Sequence, residues 1–489
     1  MYNSILHFNE FGVAKIEKVI KKFMEDSSKD IGDLVMDLEK PLQELQRAII
    51  KETIEEIDKI YRRDSCRKEK YNIERSGDEN SILTTCGTVT YQRTYFKSKE
   101  TGAYEYLADK AMGITANMRK SDDVVIKALN QVTDVSYRIS GENATKTEDI
   151  ISKQTVMKEL HNLEIPTIIP AVKNKKKQRI LYINADEDHV SLQFYKKKGD
   201  IRKNGASIKR NTIMPKLIYV FEGIEKEGPN SKRNRLVEKH YFGGVYKDNE
   251  LLWEEVRAYI ETKYEEESIE KIYIMGDGAS WIKKGLEVLG EKSIFVLDQF
   301  HLKQYIIRAT GHLGDSIQDA KDMIYDAISF EDKKGIKEVF YKIADLAESE
   351  SKRNQVLQTK RYILNHWKAI IIKNSDEDSR MGCSAEGSVS HIFSSRLSSR
   401  PLGWSKQGVD KMARLRIYTA NGGNVYDLVK YKKEKQERII KEEINKAIDK
   451  KIREKREQFT DVWNHQSISA AIGKRTGLYH ATKALRGIC

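Results

Sequence analysis

Carboxylates that close apolar runs are the side chains best placed to do chemistry in this chain. Asp186 ends RILYINAD, Asp277 follows IYIMG, and Glu386 stands in CSAEGSVSHIF near the start of a helix rich in small residues. Three carboxylates at one place repel one another unless cations hold them. Oxygen-only donors with room for water and phosphate are the ligands that Mg2+ and Mn2+ prefer. Two such ions, about 3.5–4 Å apart, can activate a water or sugar hydroxyl and stabilise the leaving oxygen of a phosphodiester. Each acid also has a plainer reading. Asp188 shares a strand face with Asp186, with Glu187 between them, so either aspartate can be the first carboxylate. Asp277, in MGDGAS, can simply cap the helix that comes next, and Glu386 taken alone can be a surface acid.

A sheet with a helix packed on it can bring such distant residues together. The patterns predict strands at Arg179 to Asp186, Val190 to Lys197 and Lys216 to Gly223, then a helix over Leu251 to Tyr264. A strand at Ile269 to Gly276, a helix at Ala279 to Leu289 and a strand at Ser293 to Leu297 complete the unit. Three sequential strands, helix, strand, helix, strand is the ribonuclease H-like order. A doubly wound nucleotide-binding fold would place a helix and a G-x-G-x-x-G loop after the first strand, and the sequence has neither. The expected fold is therefore an α/β ribonuclease H-like core over 173–301, interrupted by a helical insertion at 302–378. The third acid then arrives on a core helix at 379–404.

Mainly helical segments flank this core. Residues 1–62 read as a helical arm, with Leu38, Leu42, Leu45, Ile49, Ile57 and Ile60 on one stripe and Pro41 in its first turn. The stripe either packs within the chain or joins two copies into a homo-oligomer. Residues 63–172 contain an alternating strand, CGTVTYQRTYF, and then a pair of short helices over 135–163. Ser152 is a good N-cap for the second helix, Lys153 to Leu163. The pair is a helix-turn-helix candidate for DNA, with Lys153, Gln154, Thr155 and Lys158 on the would-be recognition helix, or an ordinary packed pair. Residues 405–489 read as a basic helical region. Within it, segment 425–458 carries 12 basic and 8 acidic residues, in the pattern of a solvated helix and secondarily of a DNA contact.

Charge and composition narrow the partners. The 489 residues carry 87 Lys+Arg against 74 Asp+Glu, a net +13. Residues 1–62 hold 10 basic and 13 acidic side chains, −3 net, so the rest carries 13 + 3 = +16. An excess concentrated that way suits a polyanion. Apolar runs fall far short of the roughly 20 residues a membrane span needs, and the N-terminus lacks a secretory h-region. Cys66, Cys86, Cys383 and Cys489 are widely spaced, which argues against a zinc ribbon or disulfide scaffold and suits a cytoplasmic location.

Four blocks carry a family resemblance: CSAEGSVSHIFSSRLSSRPLGWS (383–405), IYIMGDGASWI (272–282), LYINADEDHVSLQ (181–193) and SYRISGENA (136–144). Together they resemble the DDE transposases of ISLre-type bacterial insertion sequences, a group also catalogued as an uncharacterised protein family and distantly related to Mutator-like transposases. The similarity runs from about residue 83 to 420. It implies a catalytic and metal-binding triad of Asp186, Asp277 and Glu386, with Asp188 as the alternative first acid, a two-metal Mg2+ or Mn2+ site, and DNA (element terminal inverted repeats and target) as partner. The gaps, 277 − 186 = 91 and 386 − 277 = 109, leave room for an insertion before the glutamate. Mutator-like relatives carry a C/D-x-x-H motif there. Asp298 and His301 match it, with His301 either a structural hydrogen-bonding group or one near DNA. After Glu386, Arg396 and Arg400 lie among Ser394, Ser395, Ser398 and Ser399, and Lys406, Lys411, Arg414 and Arg416 extend a basic tract. These are the usual phosphate-contacting types, or else a solvated basic helix. Trp404 either stacks on a flipped base or fills the core beside Pro401. The expected activity is DNA cleavage and strand transfer. The alternatives are a nuclease without strand transfer and a non-catalytic DNA-binding derivative.

Overall fold

The computed structural model describes residues 3–193, 211–381, 385–400 and 402–431. The expected helical region 432–489 and Cys383, Cys489 and Pro401 lie outside them. The chain opens with a helical hairpin. Helix α1 (Val13–Glu25) buries none of its side chains, and α2 (Ile31–Arg63) runs for 33 residues. Asp30 starts α2 with a capping box: its carboxylate accepts from the backbone N–H groups of Gly32 and Asp33, and Asp33 answers to the N–H of Asp30. Pro41 therefore sits inside this helix rather than in its first turn, because the cap begins the helix earlier than the apolar stripe does. The stripe itself divides. Ile57, with Ile50 and the buried Ile54 from outside the stripe, packs against Ile82, Val89 and Tyr91. Leu42 and Ile60 remain exposed.

The partner of α2 is a long antiparallel hairpin, β1 (Tyr71–Thr84) and β2 (Gly87–Ser98). Strand β2 is the alternating segment; β1, YNIERSGDENSILT, is polar and bulged at two points, and periodicity gives no sign of it. The region before the core is accordingly mixed, not mainly helical. Buried Asp58 ties α2 to the hairpin by accepting from the backbone N–H and hydroxyl of Thr94, at 2.8 and 2.6 Å. After a two-residue strand (Tyr104–Glu105) and a short helix (Leu107–Ala111) come α3 (Asp122–Val132), α4 (Tyr137–Glu142) and α5 (Lys153–His161). Ser136 and Ser152 cap the last two by accepting from the N–H of Ile139 and Thr155.

A mixed five-stranded sheet forms the centre. Its strands are β3 (Ile180–Glu187), β4 (Lys216–Phe221), β5 (His240–Gly244), β6 (Lys271–Gly276) and β7 (Ser293–Leu297). They lie in the order β5-β4-β3-β6-β7; β4 is antiparallel to both of its neighbours, β5 and β3, and β6 runs parallel to both β3 and β7. The second strand is therefore Lys216–Phe221 and the third is β5. Val190 and Ser191 instead make a two-residue ribbon with Thr212 and Ile213 outside the sheet. All five residues of β5 are buried, and residues 194–197 of the expected strand lie outside the described residues.

Helices cover both sheet faces. Leu181, Ile183, Ile218, Val220, Ile272 and Ile274 face α6 (Asn249–Lys263) and α7 (Ser280–Leu289). Tyr182, Tyr219, Tyr273 and Met275 point the other way, into a core shared with α3 and α5. Between β7 and residue 376 the chain forms five helices with their own apolar core: α8 (Gln299–Thr310), α9 (Ile317–Ser329), α10 (Lys333–Asp345), α11 (Glu350–Asn365) and α12 (Trp367–Ser375). The chain then returns to the sheet as α13 (Ala385–Val389), a π turn at Ser390–Ser394 and α14 (Lys406–Ala420). Among the described residues no helix is long and apolar enough to cross a membrane.

Candidate active site

Strand register decides which acids meet. Met275 pairs with Asn184 and Gly276 with Leu297, so one further step sets Asp277 beside Asp186 on one side and Asp298 on the other. Asp298 confirms the step by donating its N–H to the carbonyl of Gly276 at 2.9 Å. Three aspartates thus stand in line at the carboxyl ends of three adjacent parallel strands. Gly276 permits the close approach: a Cβ there would lie 2.8 Å from the carbonyl oxygen of Ala185.

The local turns aim the carboxylates. Asp186 Oδ1 accepts from the N–H of Glu187 at 2.8 Å, and Asp277 Oδ1 accepts from the N–H of Ala279 at 2.8 Å. Asp277 thus bonds to the N–H of Ala279, the residue before α7, and gives that helix no side-chain cap of its own. Burial pushes the Asp186 carboxyl up to about 6; the Glu187 N–H and nearby His301 oppose this, and the charges of Asp277 and Asp298 add to it. Burial and the charge of Asp277 raise Glu187 as well. Asp298 is buried, caps α8 through the N–H of Phe300 at 3.0 Å, and lies 4.0 Å from His301 Nε2.

Asp188 faces elsewhere. Its carboxylate accepts both from Ser398 Oγ and from the N–H of His189. Glu386 is on α13, which packs against β3; its side chain lies outside the described residues. Among the described residues no three His, Cys, Asp or Glu side chains form a group that could hold a metal ion.

The basic tract is mostly structural, which corrects its expected role. Arg396 is buried, donates Nε to the carbonyl of Val132 at 2.9 Å and lies 4.8 Å from the Trp404 ring centre. Lys411 donates to the carbonyl of Leu163. Arg414 is held by Asp410 at 2.9 Å and by the hydroxyl of Tyr246 at 3.2 Å. Arg416 ties the carbonyls of Thr133, His391 and Ile392 together. Trp404 is a core aromatic whose indole N–H donates to Leu397 O, so it is no base-stacking platform. Arg400, Lys406, Lys153, Gln154 and Lys158 are exposed, and Thr155 is half-buried. The residue that sequence reasoning missed is Tyr362, whose hydroxyl donates to the carbonyl of Asp277. No motif announces it; a tyrosine four residues before a histidine on an amphipathic helix reads as packing.

Comparisons with known proteins show the family. Residues 25–437 match the family described as "Uncharacterised protein family (UPF0236)". A UPF0236 protein of Caldanaerobacter subterraneus subsp. tengcongensis is 39% identical over 457 residues, covering 94% of this chain and 92% of that protein. A UPF0236 protein from the vanSb 3′ region of Streptococcus gallolyticus is 24% identical, covering 84% and 86% respectively. Among solved structures, the Mos1 transposase paired-end complex with left transposon end is similar at 11% identity, covering 53% of this chain and 80% of that one. The TM-score of that match is 0.13, too low to establish a shared fold.

Proposed function

The chain belongs to the uncharacterised protein family UPF0236, and from the acids at its sheet edge we propose that it is a DNA transposase built on a ribonuclease H-like core. The observation behind this reading is the line of Asp186, Asp277 and Asp298 across three adjacent parallel strand ends. The strand order, a meander feeding a parallel pair, and the resemblance of the blocks around Asp186, Asp277 and Glu386 to insertion-sequence transposases support it.

In this reading Asp186, Asp277 and Glu386 hold Mg2+ or Mn2+, which neutralises phosphodiester charge and activates the attacking water or 3′-hydroxyl. The donor chemistry fits: oxygen ligands, with burial and like charges already opposing ionisation at Asp186. The chain's own part is to orient. The N–H groups of Glu187 and Ala279 each hold one oxygen of the Asp186 and Asp277 carboxylates. Lys153, Gln154 and Lys158 on α5, with Arg400 and Lys406, are the exposed polar groups offered to DNA.

Joining two DNA ends needs two active sites, and the arm gives a second copy somewhere to pack. Ile20, Met24, Ile31, Val35, Met36 and Leu42 are each between 46% and 78% exposed on α1 and α2. Such side chains supply area on the order of the 800 Å² per partner that a stable interface uses.

The test is incubation of the full chain with labelled duplex carrying the borders of its gene, in Mg2+ or Mn2+. Nicks with joined strands support the proposal, nicks alone reduce it to a nuclease, and neither product removes it.

A further inference from the structure

The Asp277 turn is held from outside the sheet. Tyr362, near the end of α11, donates its hydroxyl to the Asp277 carbonyl at 2.7 Å. Its ring stacks on Tyr305 of α8, centroids 3.9 Å apart and planes 15° from parallel. Tyr305 lies one helical turn beyond His301, so the same face of α8 meets both the acids and the tyrosine pair. His366 completes the wall. Its Nδ1 lies 2.9 Å from the carbonyl of Tyr362, and its Nε2 sits where a Cβ on Gly278 would be, at 2.3 Å.

Gly278 explains why an outside hold matters. It has φ of +89°, a conformation that L side chains rarely adopt, and comes directly after the acid. A glycine there satisfies the sharp turn but leaves the peptide between residues 277 and 278 easily rotated. Ala279 N–H fixes the carboxylate end of Asp277, and Tyr362 fixes its carbonyl end. Two bonds from two different elements thus hold one residue.

From this geometry we infer that Tyr362 is a positioning residue: the helical insertion, through its hydroxyl, holds Asp277 in the conformation that binds a divalent cation. This inference rests on the metal-site reading above and adds that the insertion is part of the site. Partners that orient a ligand from behind typically account for 10–100-fold in metal affinity or activity. Tyr362→Phe keeps the ring stacked on Tyr305 and removes only the donor.

The experiment is Mn2+ titration of the full chain, monitored by electron paramagnetic resonance of the free ion, for wild type, Tyr362→Phe and Asp277→Asn. The expected result is that Asp277→Asn loses the site and Tyr362→Phe binds Mn2+ about tenfold more weakly. Cleavage by Tyr362→Phe should need correspondingly more Mn2+ and recover at saturation, which a general loss of stability would not produce. Wild-type Mn2+ affinity in Tyr362→Phe overturns the inference alone. A titration that Asp277→Asn leaves unchanged overturns the metal-site reading, and the inference with it.

Discussion

Ser398 donates its hydroxyl to Asp188 across 210 positions of sequence, 2.9 Å from one carboxylate oxygen and 2.8 Å from the other. The bond fastens the chain after Glu386 to the loop after β3, and it separates two aspartates that alternation leaves equivalent. Asp186 faces Asp277, Asp298 and His301; Asp188 is spent on the fold. Asp188→Asn and Ser398→Ala should each cost about 1–3 kcal/mol, the range for an impaired buried charged hydrogen bond. Both should still cut DNA per folded molecule, whereas Asp186→Asn should not. Urea melts beside cleavage assays check this, and an inactive but fully stable Asp188→Asn would reverse the assignment.

Asp186 also predicts a pH dependence. Its carboxyl is raised from 3.8 to about 6 in the fold, chiefly by burial. Between those values the folded protein keeps a proton that the unfolded chain has released, so stability declines as pH rises through that window and stays lower above it. Asp186→Asn removes the cost. It should be more stable than wild type at pH 7.5, by on the order of 1–3 kcal/mol, with the gap closing below about pH 4. Melts across pH in metal-free buffer measure it; a mutant less stable than wild type at pH 7.5 contradicts it.

Two sets of cations should behave differently. Lys153→Ala and Lys158→Ala remove exposed charges, so each should lower the salt slope of DNA binding by about 1 and change stability by less than about 0.5 kcal/mol. Arg396→Ala strips a buried hydrogen bond and a ring contact with Trp404. It should cost about 2–4 kcal/mol while leaving the salt slope of the folded fraction unchanged. Binding isotherms at several salt concentrations, set beside melts, distinguish the two.

The arm yields a prediction about mass. Ile20→Ser with Val35→Ser replaces exposed positions, so the melting temperature of the separated chain should barely move. Light scattering should show the wild type as a dimer and the double variant as a monomer. A monomeric wild type, or a variant that stays dimeric, means that copies pair elsewhere or not at all.

Much of what this chain does with neighbours in sequence was legible without coordinates. Ser152 caps its helix, the apolar runs ending at Asp186 and Met275 become central strands, and a helical stretch comes after β7. Such features depend on residues a few positions apart, where periodicity and capping chemistry operate. Strand β1 and strand β5 were not legible. The first is polar and bulged, and the second is a five-residue piece ending in two glycines; each is stabilised by pairing with another strand rather than by an apolar periodicity of its own.

The same limit governs the site. Residue types marked Asp186, Asp188 and Asp277, and the family resemblance added Asp298, but only register and the Ser398 bond sorted them by task. Arg396 and Trp404 have the composition of a DNA contact and became core, because α13 and α14 return to the sheet and α3 lends a carbonyl. Tyr362 carries no sequence signal at all, since its partner is a backbone oxygen 85 residues away. Local chemistry determined the candidate groups and the elements that bear them. Long-range packing, which pairs surfaces that the chain order does not, decided which groups face one another and which are buried for stability.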